Sequence, residues 1–383
     1  MVQQPTSGRR KPFVALILAL GGFVAQTQLT HQVLTVMNYD RPFFVIYVTQ
    51  SVFTVSVIIH LVYLATTTKD SISSLSKGLN ITIAQRLRPG SSSQLIRFPY
   101  LRFFLIVLTL TAGFTTPTLL WCIGISLSSS SDVTVIWNTN AFFAYLISVT
   151  LLGRQHQHRK FVAVVLATIG VVLVIYGGSI VSENNVLHTR LPSRSVGDLL
   201  ALLASILYAG YQLFYDAFIE PPLVPLQDLD AFSSESTPLI EEYKDAIYPS
   251  PYGLESSFWT SMIGLCTMSL LWTVFPVLKG LGVEEFSLPI DPRTVLAILG
   301  AAFSGAMFMT GTMMLLASWG AITTSVTSLL TIVLVFLTDL MFGAAISIWS
   351  IVGSLVTAAA MLVLADSSLV SSILVPTTQE SDA

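Results

Sequence analysis

The residues able to do chemistry in this chain are polar groups embedded in apolar sequence. Gln26 and Gln28 stand midway along one apolar run, Tyr47 and Gln50 in the next, and Trp137 and Asn138 in the fourth. Tyr208, Tyr211 and Gln212 share a sixth run, Thr310 an eighth, and Thr327 and Ser328 a ninth. Amides and hydroxyls in such places bind a neutral solute by hydrogen bonds or tie one helix to another, because an unpaired polar group in hydrocarbon is costly. Tyr208 and Tyr211 lie three apart, so their rings fall near one helix face and offer either a π-surface for a planar or cationic ligand or a packing stripe. Asp198 and Asp216 lie at or near span ends, whereas Asp339 is the one acid clearly inside a run, about a turn from its end. There it serves a proton or a cation, or reaches interfacial water.

Catalysis is not indicated. The chain has no HExxH, no GxSxG and no pair of embedded carboxylates, so no catalytic residue, metal ligand or cofactor is expected and the protein is not read as an enzyme. No Lys or Arg lies deep in an apolar run, which favours neutral or cationic solutes over polyanions, whose desolvation would need positive charge.

Composition fixes what positions these groups. Of the residues, 53% are hydrophobic and only 10% charged, far from the quarter charged in soluble domains. Long uninterrupted apolar runs select membrane-spanning helices over a barrel. Hydropathy predicts an all-α integral membrane protein with ten spans, at residues 13–34, 42–65, 101–123, 133–152, 161–181, 196–218, 258–278, 295–316, 321–343 and 346–365. The N-terminal run after Arg9, Arg10 and Lys11 reads as a signal anchor. Two long connections, 66–100 and 220–257, are rich in Ser, charge and Pro and are expected to be flexible and solvated. Cys122 and Cys266 both fall inside runs, so no disulfide is expected.

A working duplication organises the spans. At a constant offset of 190, Thr134 pairs with Thr324, Gly153 with Gly343 and Val162 with Val352, and Trp137 and Asn138 pair with Thr327 and Ser328. Five spans per half, at 13–181 and 196–365, is an odd number, so the second half enters the membrane inverted. A linker, 182–195, joins the halves, and tails occupy 1–12 and 366–383. Of the 18 Lys and Arg, only Arg41, Arg190, Arg194, Lys279 and Arg293 fall on the side opposite the N-terminus. The positive-inside rule then places both termini and the acidic 220–257 loop in the cytosol, with the linker lumenal.

The segment NYDRPFFVIY at 38–47, and WNTNAFFAYLISVTLLG at 137–153 followed by a basic turn and VLATIGVVLVIYGG at 165–178, resemble the EamA-like drug/metabolite transporter superfamily. The likeness is to subfamily F of the nucleotide-sugar-transporter-like solute carrier family 35 and its fungal vacuolar-membrane relatives. It implies a ten-helix carrier of two inverted five-helix repeats, with a cavity lined by the first, third, fourth, sixth, eighth and ninth spans. The FYNN and GALNK motifs of GDP-mannose carriers are absent.

The expectation is a secondary-active carrier that moves a small organic metabolite by alternating access, with proton coupling as an option, in a vacuolar or other endomembrane. Its partners would be a small-molecule solute and the lipid bilayer, not nucleic acid; a homodimer is left open. Asn138→Ala should then impair transport more than folding. The rival reading is a non-transporting receptor or scaffold acting through its cytosolic loops.

Overall fold

The computed structural model describes residues 10–87, 99–128, 130–151, 153, 158, 161–166, 168–170, 172–173, 191–219, 246–282, 284–328, 330–341, 352–353, 355–356 and 359–360. Among the described residues there is no strand. The helices are α1 (Arg10–His31), α2 (Pro42–Ser51), α3 (Ser56–Thr68), α4 (Ile72–Leu87), α5 (Tyr100–Leu127), α6 (Ser130–Trp137), α7 (Asn140–Thr150), α8 (Leu191–Ile219), α9 (Leu254–Leu270), α10 (Val274–Gly280), α11 (Pro292–Ser328) and α12 (Leu330–Met341).

Seven helical stretches among these residues are long and apolar enough to cross a membrane: Pro12–Val36, Pro42–Thr68, Tyr100–Leu127, Val133–Thr150, Val196–Ile219, Leu254–Gly280 and Pro292–Ala321. The shortest, of 18 residues, reaches about 27 Å at 1.5 Å per residue, close to the thickness of bilayer hydrocarbon. The architecture is therefore all-α and multi-pass. Shorter apolar helices occupy Phe161–Gly170 and Thr323–Val335, where the fifth and ninth spans are predicted. The tenth, at 346–365, falls mostly outside the described residues, as do 182–190, most of the 220–257 loop, and both tails apart from residues 10–12.

The chain divides into two compact units. The first comprises residues 1–119 and 214–320. Within it α1 crosses α11 closely: Ala15, Ala19 and Leu315 form a buried cluster flanked by Leu16, Met314 and Trp319. A Cβ on Gly22 would lie 2.5 Å from the Phe308 nitrogen and 2.7 Å from the Ser304 carbonyl oxygen, so only a residue without a side chain lets these two backbones meet. α9 packs along α2, α3 and the 3₁₀ turn Val52–Val55 that joins them.

The expected solvated loop at 66–100 is not what forms at residues 72–87. Leu75, Leu79, Ile83 and Leu87, spaced by four, are all buried along one face of α4, and α4 packs against α3 and α9. Its Ser74 carbonyl accepts the Ile247 N–H at 3.2 Å, Gln85 accepts the Tyr248 hydroxyl at 2.7 Å, and Arg86 pairs with Glu255. Ile247 and Tyr248 are thus seated on α4, and the helix expected at 258 already begins at Leu254. Repeated apolar positions, not the Ser and Lys content, decided the structure here.

At the other end of this unit Pro42 opens α2, where its missing N–H costs nothing. The Phe43 and Phe44 N–H groups donate, each at 3.0 Å, to the two carboxylate oxygens of Glu284. The Tyr39 hydroxyl donates to the Ser287 carbonyl at 2.6 Å. Burial, and then the Glu284 carboxylate, push the Tyr39 phenol up to about 12. Phe43, Phe44, Tyr47, Trp272, Phe275 and Phe286 fill this end with mostly edge-to-face ring contacts.

The second unit comprises residues 120–213 and 321–383. Its core gathers Val135, Ala141, Tyr145, Ala163, Val164, Ile332 and Ala360, with Phe142 packed against them. The helical run of α11 is broken at Gly320, whose φ of 77° and ψ of 169° a side chain would oppose. This one residue makes the turn expected at 317–320. The Asp216 carboxylate, 3.3 Å from where its Cβ would be, leaves little room for one.

Candidate functional site

In the second unit the WNTN run at 137–140 interrupts its own helix. α6 ends at Trp137 and α7 starts at Asn140, and the Thr139, Ala141 and Phe142 N–H groups bond three residues back rather than four. Side chains bond back to carbonyls around the break, among them the Trp137 carbonyl, which the Ala141 N–H passes over for that of Asn138. Asn138 Nδ2 donates to Thr134 O at 2.8 Å, Thr139 Oγ1 to Ile136 O at 2.6 Å, and Asn140 Nδ2 to Trp137 O at 2.8 Å. Three consecutive short polar residues compete with the ladder and so fix a break inside a span.

Around this break the candidates converge. Asn138 Nδ2 also donates to Thr331 Oγ1 at 3.1 Å, and its Oδ1 accepts the Ser328 hydroxyl at 3.2 Å. The one Ser328 hydroxyl proton is shared with Ser325 O at 2.6 Å, and Thr331 Oγ1 donates to Ser328 O at 2.6 Å. One turn away Ser325 donates to Gln212 Oε1 at 2.6 Å, and Thr139 meets Ser205 at 2.8 Å. Asn138 is 1% exposed and spends both amide protons and its oxygen on protein. Thr327 bonds back to Thr323 O at 2.7 Å.

Beside this polar seam runs a ladder of rings. Trp137 and Tyr208 have centroids 4.5 Å apart and tilted by 31°, and Tyr208 stacks on Tyr211 at 5.9 Å. Trp121 lies 6.2 Å beyond Trp137. All four are buried, so these rings face one another.

In the first unit the candidates form separate groups. Gln50, fully buried, accepts the Thr115 hydroxyl at 2.7 Å and that of Thr267 at 3.3 Å through Oε1. Its Nε2 is buried without a partner. Gln26 is buried, with its amide 3.1 Å from where a Gly305 Cβ would stand. Gln28, two residues on and partly buried, points to another face. Thr310 reaches Ser56 at 3.4 Å. Tyr47 stands apart, in the aromatic end, with its hydroxyl donating to Met268 O at 3.3 Å. Asp339 falls in the last turn of α12, and its side chain lies outside the described residues.

The sequence reading omitted Thr115, Thr267, Ser205 and Thr331. Thr331 was accessible to it, lying one helical turn from Ser328 on the same face; the others are ordinary threonines and serines whose role depends on what faces them. Cys122 and Cys266 are free and buried. Among the described residues no cluster of His, Cys, Asp or Glu has the makings of a metal site.

No family model matches the chain, and no curated protein does. Among solved structures the chain is similar to a crystal structure described only as that of a protein, with a TM-score of 0.51 and 12% sequence identity over 94% of this chain and 99% of the other. The likeness is one of fold.

Proposed function

We propose that the chain is a secondary-active carrier of a small organic solute, built of ten spans in two inverted five-helix repeats. The observation that carries this reading is the bond between Asn138 and Ser328. They stand 190 residues apart, the same offset that pairs Thr134 with Thr324 in sequence. Residues equivalent under a two-fold rotation meet only on its axis. The same offset relates Phe142 and Ile332, which belong to one apolar core. It also relates the buried hydroxyls of Thr134 and Thr324, neither of which has a hydrogen-bond partner.

Inverted repeats place a solute site near the bilayer midplane, beside interrupted helices, and exchange two mirror-related conformations to move it. The interruption at 138–140 fits such a place. The solute-facing candidates are Gln26, Gln28, Gln50, Trp137, Tyr208, Tyr211, Gln212, Thr310 and Thr327, and Asp339 is the candidate for proton coupling. Neutral and cationic solutes suit these groups. Both termini face the cytosol on the distribution of Lys and Arg, and the membrane is the vacuolar one or another endomembrane on the resemblance of the sequence.

The test is thermal stabilisation of the purified protein, at about pH 5 and about pH 7, by nucleotide sugars, vitamins, amino acids, polyamines and cationic drugs. A ligand bound by the folded state raises its apparent stability. The expected result is a selective rise with a neutral or cationic class and none with nucleotide sugars. Silence across every class would turn attention to a receptor or scaffold.

A further inference from the structure

We infer that Asn138 and Ser328 form the pivot of the conformational exchange, a contact kept in both states, rather than a solute contact. The inference rests on the carrier reading above. In an inverted-repeat carrier the second conformation is reached by giving each half the arrangement of the other. A contact between residues that are not equivalent is thereby replaced by a different contact. The Ser325 to Gln212 bond is of that kind. A contact between two equivalent residues is mapped onto itself and survives.

Three further observations suit a pivot. Asn138 has no amide proton left for a solute, since Thr134 and Thr331 take both, and its oxygen is taken by Ser328. Both partners sit where side chains bond back to nearby carbonyls: Asn138, Thr139 and Asn140 in one span, Ser328 and Thr331 in the other. Such places bend with less loss than an intact ladder. The joint is also short and small, with Asn138 1% exposed and Ser328 half-buried, so rotation about it moves little neighbouring volume.

The experiment joins the pair covalently and asks whether exchange persists. Cys122 and Cys266 are replaced by Ala, and N138C/S328C is oxidised to a disulfide in nanodiscs. A second pair, F142C/I332C joined by a bis-maleimide, serves where the first fails to fold. Single-molecule FRET uses dyes on non-cysteine handles at positions 69 and 151 for the proposed cytosolic ends, and at 36 and 341 for the opposite ends. The expected result is two FRET levels at each end before cross-linking and the same two levels after it. A control link, Q212C/S325C, should leave one level. Collapse to one level on linking 138 to 328, in protein that exchanged beforehand, overturns the pivot and leaves the carrier reading standing. A single level at both ends before any link, at pH 5 and pH 7 alike, overturns the carrier reading and the pivot with it.

Discussion

Arg86 Nε lies 2.9 Å from Glu255 Oε1, joining α4 to the first turn of α9 across 169 residues of sequence. Their side chains are 9% and 15% exposed. Removing one member of a buried ion pair strands the other charge and costs about 3–5 kcal/mol, whereas replacing both by apolar residues costs much less. R86M and E255L should each lower the melting temperature in detergent by several degrees, and R86M/E255L should regain most of the loss. Single variants that melt like the parent protein would mean that α4 is held by its apolar face and its other hydrogen bonds, without help from the ion pair.

Glu284 gives the stability a pH dependence. Burial pushes its carboxyl above the ordinary carboxylate range, against the pull of the Phe43 and Phe44 N–H groups and Arg41, and Asp40 adds to the rise. A folded-state value above the unfolded one means that the folded protein holds a proton the unfolded chain has already lost. This stabilisation is complete below the unfolded value, about 4.3, and is lost as the pH rises through the folded one. Melting curves from about pH 4 to about pH 7 should therefore show the parent falling relative to E284Q, which cannot titrate. A gap that opened in the opposite direction would refute the assignment. E284A should melt lower throughout, since losing a helix cap costs about 0.5–2 kcal/mol.

What the sequence disclosed follows from range. Seven spans came within five residues of the ends of the apolar helical stretches, because a run of apolar residues declares a span with no knowledge of its neighbours. The turn at Gly320 declared itself in the same way. The 190-residue offset pairs Asn138 with Ser328 in the sequence, but that the two bond directly was not legible there. α4 was legible but misread, for Leu75, Leu79, Ile83 and Leu87 were outweighed by the serines and lysines between them. Glu284 and Glu255 were not legible. Each is an acid whose role is set by a group more than 160 residues away, and nothing near it in the chain signals that partner.

The crossing of α1 and α11 predicts a steric cost at Gly22. The nearest atoms to an added Cβ are the backbone nitrogen of Phe308 and the carbonyl oxygen of Ser304, which no rotamer change can move. G22A should force the helices apart and destabilise by about 1–3 kcal/mol, the usual range for overpacking. Gly21, one residue earlier, has open space where its Cβ would stand, so G21A should leave the melting temperature within about a degree of the parent or raise it. Equal effects at the two positions would show that helix propensity, not the close approach, is being measured.

Gln50 and Asn138 should respond differently to loss of their amides. Asn138 has spent its hydrogen bonds on Thr134, Ser328 and Thr331, so N138A should lose three hydrogen bonds from this seam, while each partner keeps another, and lower stability by about 1–3 kcal/mol. That places its effect on folding more than on transport, the reverse of what the sequence suggested. Gln50 keeps a buried Nε2 with no partner while its oxygen is held by Thr115 and Thr267. A donor locked in orientation and left unused is suited to a solute's acceptor. Q50L removes the spare donor without burying a charge or an acid proton, and gives up the two threonine bonds as well. In the ligand panel Q50L should melt lower than the parent and lose most of the ligand-induced rise, while N138A should melt early and keep the rise. If Q50L kept the full ligand response, the Gln50 amide nitrogen would face no solute.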